Sequence, residues 1–431
     1  MKKVFIAMSG GVDSSVAAAL LKDQGYDVTG VFMKFWSPNF ASASGGASLG
    51  EPDDNQSSFC LWKKEREDAL RVAAIIDIPL LTWDFTKEYE SKVVDYMIDA
   101  YKQGITPNPD LMCNKEIKFG MFFNKALAEG ADLIATGHYA QIRIKNQELR
   151  IKGSCHSCES RNLKIPDLVR DDSHNGYELL KAKDLNKDQS YFLYTLNQKH
   201  LSKTLFPIGK YTKPQVRELA KKFGLPTAEK KDSQGVCFIG PLKVREFLKE
   251  RIKPKKGSIV KISKSAPKGS LRLHQLISKS VIKSDPLVFG THDGVYYYTI
   301  GQRHGMDIKN GGGPYFVTRK DVKKNILYVG EEKDLYSDTA IVPNVTWVGA
   351  MPILPAEIGV KIRYRSESIP CVLENNEAIE QLNNDGLCTA ESERYNHSLK
   401  LRFHKRARAI TPGQAAVFYD DDKVLGGGTI I

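Results

Sequence analysis

Apolar and polar positions follow two different rhythms along the chain. In the first half, short continuous apolar runs at residues 4–8, 28–33, 78–83 and 133–136 alternate with stretches of helical period. That pattern predicts buried parallel strands with helices between them. The first helix begins near Asp13, carries Val16, Ala17, Leu20 and Leu21 on one face, and stops at Gly25. Further helices are predicted over 62–75, 86–103, 114–129, 190–200 and 214–223, the last capped by Thr212 and ended by Gly224. From about residue 255 the helical period disappears. Short segments at 295–300, 326–329, 345–348, 360–364 and 415–419 stand between Gly, Pro, Asn and Asp, as in a small β-barrel. Residues 37–58 and 151–176 are polar and without period, and read as loops.

With 431 residues the chain exceeds one ordinary core, so two or three domains are expected. The opening MKKVFIAMSGG has two lysines before an apolar run, but that run ends at Met8, too short for a secretory signal or a membrane span. No other stretch is long and apolar enough, so the expected location is the cytoplasm and no membrane partner is expected. The formal charge of +12 fits a polyanionic partner such as nucleic acid, and equally a lysine-rich background. Seven cysteines, at 60, 113, 155, 158, 237, 371 and 388, are odd in number and widely spaced, unlike a secreted disulfide framework.

Ser9-Gly10-Gly11-Val12-Asp13-Ser14-Ser15 joins the first strand to the first helix. Two glycines let the backbone approach a ligand, and free N–H groups at the helix start suit a phosphate or pyrophosphate. Hydroxyls of Ser9, Ser14 and Ser15 are available to add hydrogen bonds, whereas Asp13 suits magnesium or helix capping. Neither G-x-x-x-x-G-K-[ST] nor G-x-G-x-x-G is present. SGGVDSS resembles the signature loop of the PP-loop ATP pyrophosphatases, which split ATP into AMP and pyrophosphate.

Two cysteines have suggestive neighbours. Cys113 follows Asn108-Pro109-Asp110 at an expected helix start, where a dipole stabilises a thiolate. Cys237 lies between Gly235 and Gly240, with Lys230 and Lys231 upstream as candidates to hold a thiolate. Taken singly, each also reads as a buried or incidental thiol.

The blocks PNPDLMCNKEIKFG, ATGHYA, NKDQSYFLY, DSQGVCFIG, YTIGQRHG and PGQAAVFYD, in this order, closely resemble those of the tRNA-specific 2-thiouridylases. The likeness runs from the first strand to the C-terminal glycines. It implies a parallel-sheet α/β PP-loop domain (adenine nucleotide alpha hydrolase-like) over 1–240, a small central domain over 241–338 and a tRNA-contacting β-barrel over 339–431. ATP would meet Ala7, Met8, Ser9, Gly10, Gly11, Val12, Asp13 and Ser14, with Met33 and Gly137 at the adenosine end. Asn108, Pro109 and Asp110 would contact the target base, with Asp110 a candidate acid or base. His138, Lys187, Asp188, Gln189, Arg363, Tyr364 and Gln414 would touch tRNA. Cys113 corresponds to the nucleophile and Cys237 to the persulfide carrier, the two forming a transient disulfide.

The implied substrates are ATP with Mg2+ and a tRNA bearing a wobble uridine. The implied sulfur partner is a persulfide donor, either a cysteine desulfurase or a sulfur-relay protein, and no permanently bound cofactor is expected. Arg365, Arg402, Lys405, Arg406 and Arg408 join Arg363 as candidate phosphate contacts in the β-rich region, against a simple solvated surface. Residues 37–58, 151–176, 262–288 and 390–399 depart from the family pattern and read as loop insertions. Cys155 and Cys158, with His156 or His174, form at best a partial zinc set, so no metal site in the protein is expected. The rivals are a GMP synthetase-type ligase, a 4-thiouridine-forming enzyme, and a non-catalytic RNA-binding protein on an old nucleotide fold.

Overall fold

The computed structural model describes residues 1–35, 61–145, 176–231, 244–261, 288–306, 308, 312–376 and 398–431. In the first region, β1 (Lys3–Met8), β2 (Asp27–Lys34), β3 (Leu80–Asp84) and β4 (Leu133–Ala135) are all parallel, with β1 central between β2 and β4. Their near-continuous apolar sequence follows from burial on both faces: Ala7 belongs to one core cluster and Met8 to the other. The helices α1 (Val12–Asp23) and α2 (Leu61–Ile75) fall where the sequence predicts them.

The expected helix over 86–103 comprises α3 (Thr86–Tyr89), a π-helical stretch Glu90–Asp95 and α4 (Tyr96–Lys102). The expected helix over 114–129 starts earlier, as α5 (Pro109–Met112), continues as the π-helical Cys113–Phe122, and ends in α6 (Phe123–Ala128). Asn108 sets that start: its side chain accepts from the Leu111 N–H at 3.1 Å while Pro109 takes the first helical position.

Two strands that the apolar pattern does not announce follow, β5 (Gln141–Ile144) and β6 (Tyr177–Leu180). They form an antiparallel pair that extends the C-terminal sheet. A single helix over 190–200 is not found. Ser190–Phe192 is one 3-10 turn, and α7 (Gln198–Ser202) begins afresh because Asn197 caps it by accepting from the His200 N–H. The short β7 (Thr204–Leu205) completes the parallel sheet in the order β3-β2-β1-β4-β7. Helix α8 (Lys213–Lys222) starts as predicted, with Gln215 accepting from the Thr212 N–H at 2.9 Å.

After α9 (Val244–Arg251), a four-stranded sheet is built from β8 (Gly257–Lys261), β9 (Val288–His292), β10 (Phe316–Asp321) and β11 (Ile326–Gly330). Residues 295–300 do not form the expected strand. Val295–Tyr297 is a 3-10 turn, and the hydroxyls of Tyr296 and Tyr297 donate to the carbonyls of Lys253 and Ile252 instead of lining a sheet.

The last region contains β12 (Tyr336–Val342), β13 (Thr346–Trp347), β14 (Ala356–Lys361), β15 (Ile369–Asn375), β16 (Leu399–Arg408), β17 (Ala415–Asp420) and β18 (Lys423–Thr429). The strand expected at 360–364 lies earlier, at β14, and its former end holds Arg363 and Tyr364 in a turn beyond the sheet. Among the described residues, no helix is long and apolar enough to cross a membrane.

Candidate active site

The turn after β1 is shaped by packing as well as by ligand needs. Gly10 has φ +70°, and a Cβ there would lie 2.1 Å from the Glu65 carbonyl of α2. Gly11 caps α1 without a side chain. Ser14 Oγ accepts from the Ser9 N–H at 3.2 Å and donates to the Gly11 carbonyl at 3.2 Å, with Ser9 Oγ 3.3 Å away. Ser15, expected to offer its hydroxyl outward, is fully buried and donates to the Gly11 carbonyl at 2.8 Å. Ala7, Met8, Val12 and Met33 are buried, which leaves mainly their backbone to face a nucleotide.

Asp13 is not the helix cap. It lies in the first turn of α1, where both carboxylate oxygens have partners: Lys213 Nζ at 2.8 and 2.9 Å, and the Tyr139 hydroxyl donating to Oδ1 at 2.8 Å. A magnesium ion would have to displace this ammonium, so the donor set does not fit an Asp13-held metal. Among the described residues no group of three His, Cys, Asp or Glu side chains could hold a metal. Lys230 is also drawn into the loop, donating to the Gly10 carbonyl at 2.9 Å and to Asp68 at 2.7 Å. It therefore braces the nucleotide turn. Cys237, Cys60, Cys155, Cys158, Cys388, His156 and His174 lie outside the described residues.

Cys113 is the fifth residue of its helix, one turn in from Asn108, and only 1% exposed. The dipole argument made for a helix start is correspondingly weaker, because that effect fades within the first turn. Asn108, Pro109 and Asp110, at the true start, are half-buried and reachable. Beside Cys113, the Asn114 amide donates to the Phe192 carbonyl at 3.4 Å.

Three consecutive residues of ATGHYA join the nucleotide turn to the cysteine helix. At Gly137 a Cβ would come within 2.7 Å of the Ser14 nitrogen, so the turn after β4 rests directly on the start of α1. His138 faces the other way: Nδ1 is 2.8 Å from Thr136 Oγ1 and Nε2 is 3.5 Å from Lys118 Nζ, with Phe119 and Phe206 against its ring. Burial, and then the Lys118 ammonium, hold its pKa well below the usual imidazole value, so the ring is neutral at neutral pH. Tyr139 then reaches Asp13.

The residues expected at tRNA divide into two groups. Lys187 and Tyr364 are half-exposed, Tyr364 stacking near Phe192 at a 4.4 Å centroid distance. The others hold the protein together. His138 is buried as described. Asp188 is 4% exposed and accepts from the backbone N–H groups of Ala182 and Ser190, with Lys361 of β14 at 3.4 Å. Gln189 accepts from the Tyr139 N–H at 2.9 Å, and its own N–H donates to the Tyr139 carbonyl at 2.8 Å. Arg363 donates to the carbonyls of Ile300 and Ala409 and to Thr411 Oγ1. Gln414 donates to the carbonyls of Thr106 and Pro107, directly upstream of Asn108. At the same seam Gly413 has φ +91°, and a Cβ there would fall 2.2 Å from Ile105. The barrel thus fixes the approach to Asn108.

The arginines of β16 are paired with acidic side chains. Arg402 pairs with Glu374, Arg406 with Asp338 and Arg408 with Glu332, and His404 lies 2.6 Å from Glu357. These carboxylates offset the charge expected to grip phosphate. Lys213, Lys230 and Tyr139 are the residues that motif reading missed as loop partners. Tyr139 lies within ATGHYA and Lys230 just before DSQGVCFIG, but Lys213 carried no such signal, because an ion pair across 200 positions leaves no local pattern.

Residues 2–241 match the family model of the tRNA methyl transferase HUP domain, 273–331 that of the tRNA methyl transferase PRC-barrel domain, and 381–430 that of the aminomethyltransferase beta-barrel domain. A tRNA-specific 2-thiouridylase MnmA from Geobacillus thermodenitrificans is 40% identical over 99% of this chain and 94% of its own. One from Listeria monocytogenes is 40% identical with the same coverage. Among solved structures, an NMN synthetase from Francisella tularensis covers 53% of this chain and 66% of its own, at 16% identity and a TM-score of 0.26. Full-length similarity to the relatives, a loop–cysteine-helix junction built from ATGHYA, and a parallel α/β domain joined to a central sheet and a β-barrel lead to one assignment: the chain belongs to the tRNA-specific 2-thiouridylase family.

Proposed function

We propose that the protein is a cytoplasmic tRNA-uridine 2-sulfurtransferase acting on the wobble position. ATP occupies the turn after β1, and the C2 oxygen of the uridine attacks its α-phosphorus, releasing pyrophosphate. That step converts a poor leaving oxygen into AMP. The terminal sulfur of a Cys237 persulfide becomes bonded to C2 as the C2–O bond to AMP breaks. Cys113 thiolate attacks the Cys237 sulfur, cleaving the S–S bond and leaving a Cys113–Cys237 disulfide. An external thiol supplies the two electrons that restore both cysteines. The persulfide is loaded by a cysteine desulfurase or a sulfur-relay protein. Mg2+ arrives with ATP and is assigned no protein ligand.

The observation that supports this most is the contact of Gly137, His138 and Tyr139 with both the nucleotide turn and the helix of Cys113. A uridine presented at Asn108–Asp110 would then lie between an activating nucleotide and a thiol. Reaching it requires the base to leave its stack, at a cost of a few kcal/mol. Asp110, half-buried at the helix start, is the candidate acid or base. Lys187, Gln189, Arg363, Tyr364 and Gln414, all half-exposed, are the candidate direct tRNA contacts, with the buried His138 and Asp188 supporting that surface from beneath.

Mass spectrometry of nucleosides from tRNA treated with protein, ATP, Mg2+ and sulfide tests the reading. With sulfide, which displaces AMP without a persulfide, wild type, Cys113→Ser and Cys237→Ser are all expected to give 2-thiouridine. With sulfide replaced by a desulfurase and cysteine, wild type is expected to give the product, and Cys113→Ser and Cys237→Ser none. Methylated uridine in place of thiolated uridine, on addition of S-adenosylmethionine, would overturn the proposal.

A further inference from the structure

Asp13 stands where two separate routes from one surface turn converge on the nucleotide loop. That turn, residues 184–189, contains the half-exposed Lys187 and the exposed Leu185. The turn holds its own shape: the Asp184 carboxylate accepts from the Asn186 N–H at 3.1 Å, and the Lys187 N–H donates to the Asp184 carbonyl at 3.0 Å.

The first route leaves through Asp184. Its other carboxylate oxygen accepts from the backbone N–H of Lys213 at 2.9 Å, fixing the first residue of α8. The side chain of that same residue, only 8% exposed, places its ammonium on both oxygens of Asp13. The second route leaves through Gln189, which holds Tyr139 by two hydrogen bonds, one at its N–H and one at its carbonyl. The Tyr139 hydroxyl then donates to Asp13 Oδ1. Asp13 belongs to the first turn of α1, whose N–H groups face the phosphate position. Two short chains of hydrogen bonds thus connect the turn to Asp13.

We propose that Tyr139 and Lys213 are positioning residues that make nucleotide binding at the loop depend on tRNA seated on the 184–189 turn. The inference rests on the tRNA-thiolation reading. It supplies what that reading leaves open, namely how ATP cleavage is withheld until the acceptor has arrived. Because linkage is reciprocal, ATP tightens tRNA by the same factor as tRNA tightens ATP.

The test measures binding of an α,β-methylene ATP analogue with and without a saturating wobble-uridine tRNA transcript. The ratio of the two dissociation constants is the coupling. In wild type a coupling of about tenfold is expected. Tyr139→Phe keeps the ring and removes the donor to Asp13, and Asp184→Asn weakens the other route at the turn. Each is expected to lower the coupling about threefold, read as the ratio of the analogue's two dissociation constants so that any change in its affinity without tRNA cancels. The double variant is expected to bring the coupling close to one.

A wild-type coupling of one, or couplings unchanged in both single variants, would overturn the inference. Thermal melting identifies a variant that misfolds, and the remaining one then decides. The same wild-type preparation is assayed for 2-thiouridine. Product with a coupling of one overturns only this inference, whereas absence of product overturns the reading beneath it.

Discussion

Two groups of basic side chains in this protein have surroundings that give them opposite roles. At the nucleotide turn, Lys213 is buried and Lys230 half-buried, and each bridges a carboxylate or carbonyl of the loop to an element distant in sequence. Along β16, Arg402, Arg406 and Arg408 stand in solvent, the first two pairing with acids on neighbouring strands and the third with Glu332 in the 3-10 turn before β12. Exposed pairs of this kind contribute about 0–1 kcal/mol each and are screened by salt. A count of positive charges treats the two groups alike. The structure separates them by dielectric and by what each charge would leave unpaired if removed.

The largest effect should come from disturbing the turn that the buried cations brace. Gly10→Ala forces a Cβ onto the Glu65 carbonyl at a positive φ, a strain of at least about 2 kcal/mol. Movement of the loop by even about 1 Å should lower pyrophosphate release about 100-fold. Steady-state release with tRNA present, beside a melting curve, measures both. Wild-type turnover in the variant would show that the loop does not need its packing on α2.

Next in size is Lys230→Met, which keeps the apolar stem but leaves Asp68 and the Gly10 carbonyl without the ammonium. kcat/KM for ATP should fall about tenfold, in line with loss of a charge-assisted hydrogen bond. The matching change on the barrel, Arg406→Gln, should alter the dissociation constant for tRNA less than about twofold. Its salt dependence should also be preserved, whereas loss of a true phosphate contact would lower the slope by about one. If Arg406→Gln weakened tRNA tenfold while Lys230→Met left ATP untouched, the comparison would be reversed.

The same contrast explains what the sequence disclosed. Strands β1, β2 and β4 were legible because both faces are buried and each reads as a largely apolar run, whereas β3, with Thr82 and Asp84 exposed, was legible from Leu80, Leu81 and Trp83 alone. The SGGVDSS turn was legible because its requirements are local. By contrast, Ser190–Phe192 read as helix although its aromatic side chains pack in a 3-10 turn, and Val295–Tyr297 read as strand although its tyrosines cap distant carbonyls. Cys113 was given the wrong position in its helix, because Asn108 and Pro109 start that helix one turn earlier. The roles of Lys213, Lys230 and Gln414 depend on contacts spanning 200, 220 and 308 positions, which no window of sequence contains.

The smallest predicted effect concerns the buried imidazoles. Burial lowers the pKa of His138, and of His292 in the central sheet, below the ordinary value of 6.5. In the unfolded chain both rings take up a proton as pH falls through about 6.5. In the folded protein they resist it, so below that pH the unfolded state binds more protons and stability declines. Above about pH 7 both states are neutral and the contribution is flat. Melting temperature should therefore fall by a few degrees as pH drops from about 7.5 to 5.5. His138→Gln retains a polar group near Thr136 and Lys118 but cannot titrate, so it should flatten part of that slope. A slope identical to wild type would mean that Lys118 and Thr136 accommodate the charged ring. The neutral imidazole between the nucleotide turn and the cysteine helix would then owe nothing to its burial.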